Sequence, residues 1–169
     1  MARPDPRRAL SLETLDDVMP EVDRLLAGGY RPAGNWSLGQ ICHHLADTFR
    51  VTLDGPPRPM PWVVKKTIGP LALRWLKSVR RMPVGLKAPS YLTPPASSEA
   101  EDRPGAENLR AVIARFQNEL PETIDHPLFG RVSRADLATI SVRHCEHHLA
   151  FAIPTTPTTD EQHEQKVKP

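Results

Sequence analysis

The chain reads as an all-α protein: a four-helix bundle with a long crossover connection and one short extra helix. Three observations predict this. Apolar residues recur at helical spacing in four long segments. Two of those segments open on capping signals built from Ser and a partner three residues on. No segment alternates apolar and polar residues with the period of a strand. The 169 residues suffice for one domain with its own core. Residues 1–10 read as a flexible N-terminal arm, 11–153 as the helical domain, and 154–169 as a disordered C-terminal tail.

Ser11 is placed to cap the first helix, whose buried face is Leu12, Leu15, Val18, Met19, Val22, Leu25 and Leu26. Pro20 either bends or divides it, because proline lacks an amide donor and crowds the preceding turn. Gly28 and Gly29 end it. The second helix has the stronger start: Ser37 and Gln40 form a capping box, and Trp36 and Ile41 occupy the staple positions. It runs from about Leu38 to Leu53 and stops at DGPPRPMP; Gly39 is a weak point in its first turn.

Residues 62–82 place Ile68, Leu71, Trp75 and Val79 at helical spacing, with Ala72 and Leu76 alongside. Gly69 and Pro70 should break or reset this helix. Lys65, Lys66, Arg74, Lys77, Arg80 and Arg81 give it six positive charges and no negative one. Such a helix covers a domain with its cations in water, which is the plainer reading, or it lies on a membrane surface or a partner. Residues 83–105 read as a long loop, either a lid or a connector. The third long helix spans about Ala106 to Glu122, with Leu109, Val112, Ile113, Phe116 and Leu120 as its stripe. HPLFGR is a turn. Ser133 with Asp136 and the pair Val132 and Leu137 then start the last helix, about Arg134 to Ala152, which Pro154 stops. The remaining residues have almost no apolar side chains, hence the disordered tail.

Composition narrows the function classes. The net charge is only +2, without the concentrated excess of a nucleic-acid binder. Two cysteines with no CxxC exclude a disulfide-dense scaffold. No long uncharged apolar run exists, and the basic N-terminus is not followed by an apolar stretch. A membrane span and a signal peptide are therefore not expected, and a reducing cytoplasm is the expected compartment. There is no glycine-rich phosphate loop, nucleophile elbow or HExxH.

The histidines carry the functional signal. Six of seven fall at positions 43, 44, 126, 144, 147 and 148, and His163 lies in the tail. His144 and His148 are four residues apart, so their side chains share one helix face and can reach one ion. They continue the stripe of Leu137, Ile140 and Phe151, where unpartnered imidazoles are costly. His44 lies near the face of Ile41, Leu45 and Thr48 and can meet that pair across the bundle. Three neutral imidazoles would leave coordination positions open and the ion its full divalent charge. That charge acidifies bound water and deprotonates a bound thiol. His43 points to the rim or surface, and His147 is a pocket or rim contact. Glu146 and Asp47 are candidate acceptors for imidazole N–H groups, though Asp47 is equally a routine surface residue. Cys42 and Cys145 read as small buried fillers before reactive thiols or soft ligands. His126 is either a residue of the pocket mouth or a turn histidine held extended by Pro127.

NWSLGQICHHLAD, followed about a hundred residues later by HCEHH, resembles the DinB/YfiT-like superfamily of bacterial metal-binding four-helix proteins. HPLFGRVSRADLATISVRHCEHHLAF is similar, more narrowly, to a subfamily of unknown function within it. The resemblance covers most of residues 11–153 and implies His44, His144 and His148 as ligands and a crossover after the second helix. It implies a metal-dependent transferase or isomerase that uses a low-molecular-weight thiol, such as mycothiol or bacillithiol, on a small electrophile. The alternative is a metal-binding or stress-associated bundle without catalysis. Homodimerisation also fits the superfamily. Gln40 stands where the superfamily has glutamate, and the basic helix of residues 62–82 is not a feature of its core. Imidazole ligands suit zinc, nickel, iron and manganese alike.

Overall fold

The computed structural model describes residues 5–58, 61–85, 89–94 and 101–155. Five helices make up most of it: α1 Val18–Gly28, α2 Leu38–Asp54, α3 Trp62–Ser78, α4 Asp102–Glu119 and α5 Arg134–Leu149. Two small antiparallel sheets accompany them. Strand β1 (Tyr30–Pro32) pairs with β4 (Ala152–Pro154), and β2 (Thr123–His126) pairs with β3 (Gly130–Ser133). The protein is therefore mostly helical, where the sequence predicts an all-α chain. The strands run only three or four residues, too short for a period-two pattern to register.

The start of α2 has every free amide partnered. Leu38 N–H donates to the Tyr30 hydroxyl (2.8 Å), Gly39 N–H to Asp102 Oδ1 (2.6 Å), and Gln40 N–H to Ser37 Oγ (3.2 Å). Ile41 N–H donates to the Ser37 carbonyl (3.0 Å), and Gln40 Oε1 accepts the Ser37 N–H (3.0 Å). The Tyr30 hydroxyl in turn donates to Asp102 Oδ2 (2.8 Å). The capping box thus forms as its residues predict, and a buried carboxylate from the first turn of α4 completes it. Close approach makes this possible. A β-carbon on Gly105 would lie 2.9 Å from the Gly39 carbonyl oxygen and 3.1 Å from its Cα. Gly39, a weak point by helix propensity, is here a point of backbone contact between two helices.

At the far end of the same pair, Arg115 of α4 bonds Asp54 of α2 (3.1 Å). The two helices therefore run parallel. A parallel pair needs a connection that returns along its length, and residues 55–101 provide it with α3 and a 3₁₀ turn, Ser90–Leu92. Helices α1 and α5 complete the core: α1 packs on α4, α5 packs on α2, and α1 and α5 meet each other.

Several boundaries differ from those predicted, each for a local reason. A 3₁₀ turn (Leu15–Asp17) precedes α1, and the Asp17 carboxylate accepts the Glu13 and Thr14 amides, so Ser11 is not the cap. Pro20 then sits in the first turn, where its missing N–H costs nothing. Helix α3 runs through Pro70 unbroken; the carbonyl that loses its helical partner belongs to Lys66, an exposed residue. Helix α4 starts a turn early, with Pro104 inside that first turn. Helix α5 ends at Leu149, and the residues beyond it pair with β1. The HPLFGR turn is the tip of the β2–β3 hairpin.

The outward face of α3 is the largest departure. Ala72, Leu73 and Leu76 pack on the core, while Ile68, Leu71 and Trp75 face solvent. In the segment read as an arm, Arg8 N–H bonds the Ala150 carbonyl (3.0 Å) and Arg7 reaches His147 and the Met82 carbonyl. The predicted tail begins within β4, which ends at Pro154; residues 1–4 and 156–169 lie outside the described residues.

An alanine in place of an ordinary helical glycine stabilises by up to about 1 kcal/mol. Gly105→Ala should do the opposite, because both atoms it strikes are backbone. Asp102→Ala should cost about 3 kcal/mol, since it strips two donors of a charged acceptor. Denaturant unfolding measures both, and a stabilised Gly105→Ala protein would contradict the packing described.

Candidate metal centre

Local chemistry brings three imidazoles together. The capping box and Asp102 set the origin of α2, and His44 follows on its buried face, 2% exposed. The β2–β3 hairpin passes directly into α5, with Ser133 Oγ accepting the Asp136 N–H (3.1 Å) and Arg134 N–H donating to the Glu122 carbonyl (2.9 Å). That sets the rotation of α5, which presents His144 and His148 to His44. The Nε2 atoms of His44 and His144 are 3.4 Å apart, and those of His144 and His148 are 3.0 Å apart. One nitrogen from each of the three lies within 4.8 Å of the others. Two imidazole nitrogens bound tetrahedrally at about 2.05 Å stand about 3.3 Å apart, so the donor set fits a single small cation.

The environment keeps these rings neutral, as ligands must be. Burial lowers the His44 pKa, partly offset by the Leu92 carbonyl and the charge of Asp47. Burial, then the neighbouring rings of His44 and His147, pulls His144 down to about 3. His148 is held well below the ordinary range, first by burial and then by the adjoining histidines and Arg7. One nitrogen of His44 is already oriented: Nδ1 lies 2.7 Å from the Leu92 carbonyl oxygen. A carbonyl only accepts, so Nδ1 carries the proton and Nε2 turns its lone pair toward the other two rings.

The candidate second tier divides. His147 stands beside His148 (ring centroids 4.7 Å), but its Nδ1 accepts from Arg7 Nη1 (2.7 Å), outside the cluster of three nitrogens. Burial and the Arg7 charge bring it to about 4. Asp47 pairs with Arg50 (2.9 Å), and Glu146 accepts the Leu12 N–H (3.2 Å); neither takes an imidazole proton. The acceptor that does is the Leu92 carbonyl, from the crossover. His126 is a structural turn residue: its Nδ1 accepts the Leu128 (3.2 Å) and Phe129 (3.3 Å) amides, and its Nε2 faces Thr52 Oγ1 (3.2 Å). Thr52 lies two turns beyond His44 on α2, about 12 Å along the axis. Burial, then the charge of Lys65, lowers His126 to about 4. His43 is half-buried near Asn108. Burial, reinforced by the charge of Asp102, pushes the Cys42 thiol up to about 12, and burial raises Cys145 as well. Both are unreactive fillers.

Two residues reach the site that its histidine pattern does not reveal. Trp36, read as a staple, stacks on His148 (5.5 Å, 18°) and leans on His44 (4.9 Å). Sheet pairing puts it there: β1 lies against the residues following α5, and Ala33 N–H donates to the Phe151 carbonyl (2.7 Å). Arg7, from the N-terminal segment, caps His147 while Asp5 holds its guanidinium. Beside His148 opens a cleft of about 1120 Å³ walled by Trp36, Ile41, Phe151, Arg7 and His147.

Fold and site together define a mostly helical protein with a three-histidine cluster, drawn from two helices, that can hold a metal ion. The chain belongs to the DUF1569 family, proteins of unknown function, which matches residues 5–155. No curated protein and no solved structure shows a significant match to it.

Two outcomes test this geometry. Leu92 N–H bonds the Pro89 carbonyl (2.9 Å), so Leu92→Pro should displace the Leu92 carbonyl. Metal affinity by calorimetry should fall about 10–100-fold with all three histidines intact. The second is a pH effect in metal-free protein. His144, His147 and His126 have folded values near 3, 4 and 4, below the unfolded value of about 6.5. The unfolded chain takes up their protons first, so stability is full above about pH 6.5 and is lost as pH falls toward 4. Unfolding free energy should drop by more than about 2 kcal/mol between pH 7.5 and 5, and an unchanged value would contradict the assignment.

Proposed function

We propose that this chain is a divalent-metal-dependent protein whose ion is held by His44, His144 and His148. We further propose that it joins a low-molecular-weight thiol to a small electrophile in the adjoining cleft. The observation that carries the reading is the convergence of three neutral imidazole nitrogens within 4.8 Å, one of them oriented by a backbone carbonyl. On this reading α1, α2, α4 and α5 form a four-helix arrangement of the DinB/YfiT kind.

A divalent ion held by His44, His144 and His148 would keep its full charge on these neutral ligands and would supply Lewis acidity, favouring a nucleophilic thiolate or hydroxide at neutral pH. The chain's own residues do the rest. The Leu92 carbonyl holds His44 in one tautomer. Trp36 fixes the planes of His44 and His148 and, with Ile41 and Phe151, gives the cleft an apolar wall that excludes water from one side of a substrate. The thiol gives its proton to water and its sulfur attacks the electrophilic carbon. As the C–S bond forms the carbon–leaving-group bond breaks: a halide departs with the bonding pair into the cleft, or an epoxide oxygen stays tethered and takes a proton from water. Arg7 is positioned at the rim, its charge partly balanced by Asp5.

Protein purified without chelator should contain about one divalent ion per chain, with a higher unfolding temperature than the stripped protein. His44→Ala, His144→Ala and His148→Ala should each lose it, whereas His43→Ala should retain it. Elemental analysis and anomalous scattering give stoichiometry and identity. Metal-dependent consumption of thiol with an aryl halide or epoxide then tests the transferase reading. Bound ion without thiol consumption would favour a metal-binding protein without catalysis.

A further inference from the structure

Helix α3 carries an apolar stripe that nothing in the fold covers. Leu71 is 70% exposed, Ile68 58% and Trp75 44%, and Trp62 at the helix start is 70% exposed. These residues cannot turn inward, because the helix is fixed on its other side. Ala72, Leu73 and Leu76 already pack on the core. A β-carbon on Gly69 would lie 2.0 Å from the Leu128 carbonyl oxygen, so α3 rests directly on the β2–β3 hairpin. Arg143 Nη1 donates to the Leu76 (2.9 Å), Lys77 (2.9 Å) and Val79 (3.1 Å) carbonyls, closing the helix end onto α5. Lys65 and Lys77 are pinned by Asp125 and Asp136.

Charge says what the stripe meets. The segment from 62 to 81 contains no acidic residue. Once Lys65, Lys77 and Arg81 (3.6 Å from Asp5) are paired, Lys66, Arg74 and Arg80 remain as its cations without a carboxylate partner among the described residues, and Lys66 lies on the helix face away from Trp75. Arg74 lies beside the stripe, between Leu71 and Trp75, and Arg80 lies just past the helix end. A two-fold contact between copies centred on Leu71 and Trp75 would set Arg74 near its own equivalent. At 17 residues α3 is about 26 Å long, and no described helix is long and apolar enough to cross a membrane. Apolar side chains on one face, flanking cations and a tryptophan amid the stripe are the pattern of a helix lying in a lipid headgroup layer.

We propose that the outer face of α3 docks the protein on an anionic lipid surface, with Ile68, Leu71 and Trp75 inserted and Arg74 and Arg80 against the headgroups. The test is co-sedimentation of the full chain with vesicles of phosphatidylcholine alone or mixed with phosphatidylglycerol. The chain should bind the mixed vesicles at low salt and bind phosphatidylcholine at least about tenfold more weakly. The pair Ile68→Ser with Leu71→Ser, and separately Arg74→Glu with Arg80→Glu, should each reduce binding by about tenfold or more. All four side chains are on the surface, and circular dichroism with an unchanged unfolding temperature verifies that the variants fold. The proposal is overturned if the chain ignores anionic vesicles or if both variants bind as well as the parent. It is also overturned if sedimentation equilibrium shows a dimer that the Ser pair dissolves, with no vesicle binding, because a second copy would then be the occupant.

Discussion

The carboxylate of Asp102 at the start of α2 is the contact on which the rest of the structure depends. It accepts from the Gly39 amide and the Tyr30 hydroxyl, and that hydroxyl accepts the Leu38 amide. One buried group thus ties α4, the segment before α2 and α2 itself. A negative charge at a helix N-terminus is favoured by the peptide dipoles, and bonds to a charged acceptor are stronger than neutral ones. Gly39 and Gly105 are what let the carboxylate come so close, since any side chain at either position would force the backbones apart. Once this end is fixed, the depth and rotation of α2 are fixed too, and His44 is five residues further on.

The parallel course of α2 and α4 has a second consequence. It demands a long return connection, and that connection passes over the histidine cluster, where the Leu92 carbonyl accepts a hydrogen bond from His44 Nδ1–H. The acceptor is uncharged. Asp47 and Glu146, the nearby acids, are occupied by Arg50 and the Leu12 amide. A cation held by this set would therefore meet three neutral ligands and a neutral outer partner, which would cancel little of its charge.

How much of this is legible in the sequence varies with the range of the interaction. The spacing of His144 and His148 and the phase of His44 are local helix geometry, and the structure brings those three together. The Ser37–Gln40 box and the Ser133 cap are also local, and both form. Contacts that join distant segments leave no such trace. Leu92 acts through its carbonyl, which every residue type possesses. Arg7 meets His147 across 140 positions. Asp102 sits in a stretch whose proline and glycine content reads as loop, and its role depends on a glycine 63 positions away. Trp36 is the intermediate case: its staple position is visible, but its stacking on His148 needs the β1–β4 pairing, and strands of three residues have no pattern to find.

Helix α3 shows why an apolar period alone does not say which way a stripe faces. Ile68, Leu71 and Trp75 keep helical spacing, as a core stripe would. The neighbouring face, Ala72, Leu73 and Leu76, is nearly as apolar and less bulky, and Gly69 on the same side permits contact with the hairpin backbone. The smaller face packs closer, so it is the one that goes inward. Arg143 then closes the helix C-terminus with three carbonyl bonds, and it does so from the residue preceding His144. The orientation of α3 and the placement of the histidine face of α5 are therefore set by adjacent residues of one helix. The crossover is held at both ends of its task, with Leu92 turned to the histidines and the stripe of α3 turned to the outside.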